Sequence, residues 1–394
     1  MMRISQRAQN VEPFHAMELI AAADELEQAG HHVVRFNIGE PDFGASEPVL
    51  KAMIDTMDGR PLPYGVPTGS RALRARIAQF YRDRHGVDVD PRRIIITSGA
   101  SSALLLIAAA TVDPGSDVML ADPTYLPNRE LVLAFGGNLI AVPTTPESRY
   151  QLTADMVREH WTDGTRAVMI ASPSNPTGTS LPSGELAAIC DIAKERGAWR
   201  IVDEIYLDGA DPRPDGTAPE TALVHDPDAI VVSSFSKYFG MTGWRLGWCI
   251  VPEALLESME ALAVDFFLGP QVPAQHAALA CFEPEVLAEA EKRRLDLLER
   301  RALMLEGLER IGIPVDSEPN GAFYAFPDIS STGLDSATFC ARALAEAHVS
   351  LTPGLDFGPT HGDTHVRLSY AASREDIVEG IERLGRWLES LRAD

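Results

Sequence analysis

The chain has 394 residues, 45% of them hydrophobic, and sets 57 acidic against 34 basic side chains for a formal net charge of −23. That length allows one large core with room for a second lobe, and the acidity disfavours nucleic acid or an anionic membrane as the main partner. There is no apolar run of about eighteen residues to span a membrane, and Met1 to Arg7 lack the apolar core of a secretion signal, so a cytoplasmic location is expected. Cys190, Cys249, Cys281 and Cys340 are scattered without a CxxC pair and read as buried thiols. The histidines show no HExxH or comparable spacing, so no metal site is expected.

In chain order, a first helix is expected from Phe14 to Ala29, with no evident place in a central sheet; it either packs on a second lobe or reaches another subunit. Leu50, Met53, Ile54 and Met57 recur at helical spacing after Pro48 and predict an amphipathic helix. From about Ser46 to Val251 helix-period segments alternate with short apolar runs at Ile94–Thr97, Asp117–Ala121, Asn138–Val142, Ala167–Ala171, Arg200–Asp203, Ile230–Ser233 and Leu246–Ile250. Alternation of that kind predicts an α/β fold with a largely parallel sheet between helices that begin near Ala100, Tyr125, Asp155 and Ser183. Asp208 to Gly216 reads as a mobile surface loop. A charge-laced helix over Glu283–Ile311 leads into a smaller α/β lobe with strands at Ala322–Phe326 and His365–Ser369 and a last helix.

Several strand ends carry residues with two readings. Thr97-Ser98-Gly99-Ala100-Ser101 opens a helix after a strand, which suits an anion, although many Gly/Ser-rich helix starts bind nothing. Asn175, in Ser174-Asn175-Pro176-Thr177-Gly178, is presented by a proline-fixed turn or is only part of that turn. Asp203, in Asp203-Glu204-Ile205-Tyr206, is either a buried carboxylate that needs a cationic partner or a helix cap. Lys237, in Ser233-Ser234-Phe235-Ser236-Lys237, suits an amine that holds a phosphate-bearing aldehyde as a Schiff base, with the hydroxyls and Arg245 gripping the phosphate; the alternative is a solvated loop.

Taken in this order, Asn-Pro-x-Gly, Asp-x-x-Tyr, Ser-x-x-Lys and the following arginine resemble the fold-type I pyridoxal-phosphate enzymes. More narrowly the chain is similar to the class I/II aminotransferases related to aspartate aminotransferase, over residues 11–387. The resemblance implies a large cofactor-binding domain at 46–285, with a mainly parallel seven-stranded sheet, and a small domain made of 1–45 and 286–394. It implies that Lys237 forms the internal aldimine with pyridoxal 5'-phosphate and shuttles the substrate proton, and that Asp203 keeps the pyridine nitrogen protonated. Asn175 and Tyr206 are implied as partners of the ring's phenolate oxygen, and Ala100, Ser101, Ser234, Ser236 and Arg245 as phosphate contacts. Tyr125 matches the aromatic residue that stacks on the ring, against the plain reading of a half-buried tyrosine. Tyr64 matches the tyrosine that reaches a neighbouring subunit's phosphate, which implies a homodimer with shared sites. Arg367 resembles the arginine that clasps the substrate carboxylate, rather than a surface strand residue, and Gly39 the turn beside that carboxylate.

Ping-pong amino transfer from an L-amino acid to a 2-oxo acid is the expected reaction. The segment Ala100-Ser101-Ser102 lacks the lysine by which one bacterial branch of the family recognises aspartate, and Asp265–Pro273 is mostly apolar, so a neutral amino donor is expected. The same site would also support β-elimination from a cysteine thioether, because the pocket selects which bond at Cα breaks. A cofactor-sensing regulator is a remoter alternative, since the resemblance begins within about fifteen residues of Met1 and the acidity disfavours DNA. No GxGxxG follows the first strand, which disfavours a nicotinamide fold.

Overall fold

The computed structural model describes residues 4–9 and 15–393; Met1 to Arg3, Val11 and Phe14, on which sequence expectations fell, lie outside the described residues. The described strands are β1 (Val34–Arg35), β2 (Ile94–Thr97), β3 (Asp117–Asp122), β4 (Asn138–Pro143), β5 (Thr165–Ala171), β6 (Trp199–Asp203), β7 (Ile230–Ser234), β8 (Gly247–Ile250), β9 (Tyr324–Ala325), β10 (Val349–Ser350), β11 (Thr352–Pro353) and β12 (Val366–Ser369). Seven of them form one sheet in the order β2-β8-β7-β6-β5-β3-β4, each within a residue or two of the run expected from sequence. β8 runs antiparallel to both β2 and β7; every other pairing in the sheet is parallel.

Alternation along each strand feeds two separate apolar layers. Ile94, Ile96, Val202 and Val231 face Leu73, Ile77, Phe80 and Trp248 on one side. On the other, Ile95, Ile201 and Val232 pack with Leu106, Ile107 and Met259. Both faces are covered, so strands such as Ile94–Thr97 and Ile230–Ser234 carry apolar residues on both sides. Parallel β5, β6 and β7 also end along one edge, which sets Ala171 beside Asp203 and Ser234 two residues past Val232, the partner of Asp203 on β7.

A second core gathers Val34 and Phe36 with Met304, Leu308, Phe339, Val349, Leu368, Ile381 and Leu384. Around it stand the β11-β12-β9 sheet, the parallel pair β1-β10, and helices Ser336–Ala347 and Arg374–Ala393. The first long helix, His15–Gln28, belongs to this lobe: Ala23 packs with Val33 and Leu344, and Arg35 reaches back to Glu27 at 2.8 Å. Helix Pro284–Ile311 joins the two cores, with Val286 and Ala290 in the first and Met304 and Leu308 in the second.

One expected helix forms with different limits, and one expected loop is corrected. The helix marked by Pro48 is Glu47–Ile54, with Pro48 in its first turn; it buries Val49 and packs Met53 on the first core, leaves Leu50 and Ile54 46% and 69% exposed, and ends before Met57. Leu50 and Ile54 thus face outward, while Met53 faces the core. Only the distal part of 208–216 is an open loop. Asp208 is buried against Arg84 (2.7 Å) and His85 (3.3 Å), Ala210 is buried, and Asp211 pairs with Arg301 at 2.9 Å. Those charges had partners distant in sequence, which local composition could not reveal.

Gly307 sits where Pro284–Ile311 crosses Arg374–Ala393, and a Cβ there would lie 2.9 Å from Ile381. Gly307→Val is expected to lower stability by about 1–3 kcal/mol through overpacking, measured by denaturant titration.

Candidate active site

One cavity of about 350 Å³ opens at the strand ends, between the sheet edge and the second lobe. It collects Gly39, Ala100, Ser101, Tyr125, Asn175, Asp203, Tyr206, Ser234, Ser236, Lys237, Arg245 and Arg367, every singled-out residue but Tyr64. Tyr64 is 87% exposed and lines a separate hollow with Leu62, Leu268 and Pro270.

At one end lies a cradle for an anion. Helix Ala100–Thr111 starts there, and its first N–H groups have no acceptor within the helix. Ser234 Oγ donates to Ser236 Oγ at 2.9 Å, and the Ser236 N–H donates back to Ser234 Oγ at 3.0 Å, so both hydroxyls are fixed. Arg245 adopts a left-handed backbone (φ 52°) with its guanidinium donating to Thr242 O at 3.0 Å. Gly99 (φ +83°) has to lack a side chain, because a Cβ would lie 2.7 Å from an Arg245 nitrogen. Hydroxyls, guanidinium and helix start thus converge as a dianion would require.

In the middle stand two groups with displaced titrations. Burial is the largest influence on both. It pushes the Asp203 carboxyl up to about 6, against the Ile205 N–H and the charge of Lys237, which pull it down. It pulls the Lys237 ammonium down to about 8, helped by Arg367 and Arg245 and opposed by Glu40 and Asp203. Lys237 Nζ donates to Gly39 O at 2.6 Å. A buried carboxylate and an amine that gives up its proton more readily than usual, both lining one cavity, suit a ring with a basic nitrogen and an aldehyde.

The far end is built from the second lobe. Arg367, 4% exposed, gives one nitrogen to Asn175 Oδ1 at 3.0 Å and the other to Asn37 O (2.8 Å) and Thr352 Oγ1 (3.1 Å). Its guanidinium carbon lies 4.5 Å from the centre of the Tyr324 ring. Tyr324 was missed from sequence. It lies within the stretch read as a strand, where an aromatic residue signals packing, yet its hydroxyl meets that of Tyr206 at 2.8 Å. Asn37, Thr242 and the apolar walls Ile20 and Ile38 were also unassigned. The turn that carries Tyr206 is anchored from behind, because Glu204 accepts from Ala222 N (2.6 Å) and Thr221 Oγ1 (2.8 Å).

The profile of the family "Aminotransferase class I and II" matches residues 31–384. The chain belongs to that family. It is 39% identical to a valine–pyruvate aminotransferase of Mycobacterium tuberculosis over 98% of this chain and 99% of the relative. It is 33% identical to an aspartate/prephenate aminotransferase of Thermus thermophilus, covering 98% of each. Among solved structures, an aminotransferase from Mycobacterium tuberculosis matches with a TM-score of 0.94 at 39% identity, covering 99% of this chain and all of the other. Aspartate aminotransferase from Thermus thermophilus with maleate matches with a TM-score of 0.91 at 32% identity, covering 98% of this chain and all of the other. The fold is therefore that of the aspartate aminotransferase-like enzymes, and the protein is a transaminase of a pyridoxal-phosphate-dependent family. Amino acids and 2-oxo acids are its substrate classes. Among the described residues no helix is long and apolar enough to cross a membrane.

In this aminotransferase Gly39 supports the second lobe by its missing side chain: a Cβ there would lie 2.8 Å from the Tyr324 hydroxyl, with the next atom at 3.8 Å. Gly39→Ala is expected to destabilise by about 1–3 kcal/mol. Adding Tyr324→Phe should restore most of the loss, as measured by thermal melting of the two variants.

Proposed function

We propose that Lys237 is the residue to which pyridoxal 5'-phosphate attaches, and that the protein transfers amino groups from neutral L-amino acids to a 2-oxo acid. The observation that carries this reading is one cavity lined together by Lys237, with its depressed ammonium, the Asp203 carboxylate and the Ser234–Ser236–Arg245 cradle. When bound, the cofactor supplies an aldehyde for the amine and a ring that accepts the electron pair left when a bond at Cα breaks. Asp203 pairs with the ring nitrogen and keeps its proton, and Tyr125 covers one face. Asn175 and Tyr206 donate to the ring oxygen. Ala100 and Ser101 with the cradle hold the phosphate, and Arg367 with the Gly39 turn orients the substrate carboxylate so that its Cα–H faces Lys237.

Preference for a neutral donor rests on Ile20 and Ile38 in the cavity wall, on the uncharged Ala100-Ser101-Ser102 segment, and on similarity to an enzyme named for valine and pyruvate. Exposed Leu50, Ile54, Met57, Leu62, Tyr64, Phe266 and Leu268 fit burial against a second copy, with Tyr64 completing the partner's phosphate site. The proposed division is a large domain of 46–285 and a small one of 1–45 with 286–394, with helix Pro284–Ile311 packed on both cores. Four buried free thiols fit a reducing compartment, and the cytoplasm is the proposed location.

Lys237→Ala is expected to abolish turnover and the borohydride-fixed adduct while still binding cofactor; transamination by that variant near the unsubstituted rate would remove Lys237 from its role. Because only the neutral amine attacks an aldehyde, cofactor uptake by the apoprotein should speed up as pH rises through about 8 and level off above it, followed by stopped-flow absorbance. In a panel of donors with pyruvate and 2-oxoglutarate, neutral amino acids should exceed aspartate in kcat/KM by about tenfold or more. Aspartate as the best donor would overturn the specificity assignment.

A further inference from the structure

The hydroxyls of Tyr206 and Tyr324 meet at 2.8 Å, and either could be the donor. Both residues are buried, at 5% and 1% exposure, and both line the cavity. A pair of hydroxyls shares one hydrogen bond, so one proton lies between the two oxygens and the other points elsewhere. Its direction is decided by what lies beyond each oxygen. Tyr324 Oη stands against the backbone of Gly39, where an added Cβ would sit 2.8 Å from it. Among the described residues Tyr206 is the one hydrogen-bond partner of that hydroxyl. Tyr206 has one hydroxyl proton, so when that proton is given to a ring oxygen in the cavity, the 2.8 Å bond between the two hydroxyls has to be made with the Tyr324 proton.

We propose that Tyr324 is a positioning residue: it donates its hydroxyl proton to Tyr206 and thereby aims the Tyr206 proton at the oxygen of whatever ring occupies the cavity. This rests on the proposed attachment of pyridoxal phosphate at Lys237. The same side chain touches the substrate end, since its ring lies under the Arg367 guanidinium at 4.5 Å. Hydroxyl and ring thus serve different ends of the site, and they can be separated by substitution. Tyr324→Phe removes the hydroxyl and keeps the ring beneath Arg367; Tyr324→Leu removes both.

The test compares Tyr324→Phe, Tyr324→Leu, Tyr206→Phe and the Tyr206→Phe/Tyr324→Phe pair, each loaded with pyridoxal phosphate. The pH titration of the cofactor's visible band and the KM for the amino donor are read for each. Removing a donor leaves more negative charge on the ring oxygen, which holds the neighbouring nitrogen's proton more tightly and moves the titration midpoint upward. Tyr324→Phe should raise the midpoint by about one unit, in the direction of Tyr206→Phe. The double variant should go no further than Tyr206→Phe, because the Tyr324 proton acts only through Tyr206. KM should stay within about twofold in Tyr324→Phe and rise about tenfold in Tyr324→Leu. An unmoved midpoint in Tyr324→Phe, or shifts that add in the double variant, overturns the proposal while leaving the cofactor assignment standing. If borohydride fixes no cofactor on Lys237 in the unsubstituted protein, the functional reading fails and the proposal goes with it.

Discussion

Asp203 and Lys237 are carried by neighbouring parallel strands, Asp203 at the end of β6 and Lys237 just beyond β7, and both line the same cavity. Among the described residues no ion pair joins them, so desolvation governs each: the carboxyl rises to about 6 and the ammonium falls to about 8. Charges held in this way are unfavourable for the protein alone and become favourable once a ligand with complementary groups lies between them. The rest of the architecture maintains that separation. The sheet fixes the strand ends, the Glu204 contacts with Thr221 and Ala222 hold the turn after Asp203, and the Gly39 carbonyl holds Lys237.

The second lobe closes the site from the opposite side with few but specific parts. Arg367 is steered by a backbone carbonyl, a threonine and Asn175, which lies across the cavity on the large sheet's side. That last bond ties the carboxylate end to the turn beside the ring. The same turn is held to the second lobe by the Asn320 and Gly321 N–H groups, which both donate to Gly178 O.

The large sheet was legible in the sequence because strands buried on both faces have no polar positions to blur them: Ile94-Ile95-Ile96 and Ile230-Val231-Val232 each announce a strand and its limits. The motif residues were legible because each follows such a run directly. Tyr324 was not, since its partner Tyr206 is more than a hundred positions away and nothing local distinguishes a bonding hydroxyl from a packing ring. The 208–211 segment misled for the same reason: Asp208 and Asp211 resemble turn residues until Arg84, His85 and Arg301 are brought beside them. Leu50 and Ile54 show the converse, apolar residues one helical turn apart whose covering surface is not part of the chain's own core.

Helix Pro284–Ile311 presents Val286 and Ala290 to one core and Met304 and Leu308 to the other. At 3.6 residues per turn those two pairs are roughly five full turns apart, so both cores read the same stripe of one cylinder. Its length is consequently a phase as well as a distance. A single residue inserted midway would swing one pair by about 100° away from its pocket while the other stayed seated, so substitutions along the intervening exposed surface are far better tolerated than any change in the count of residues.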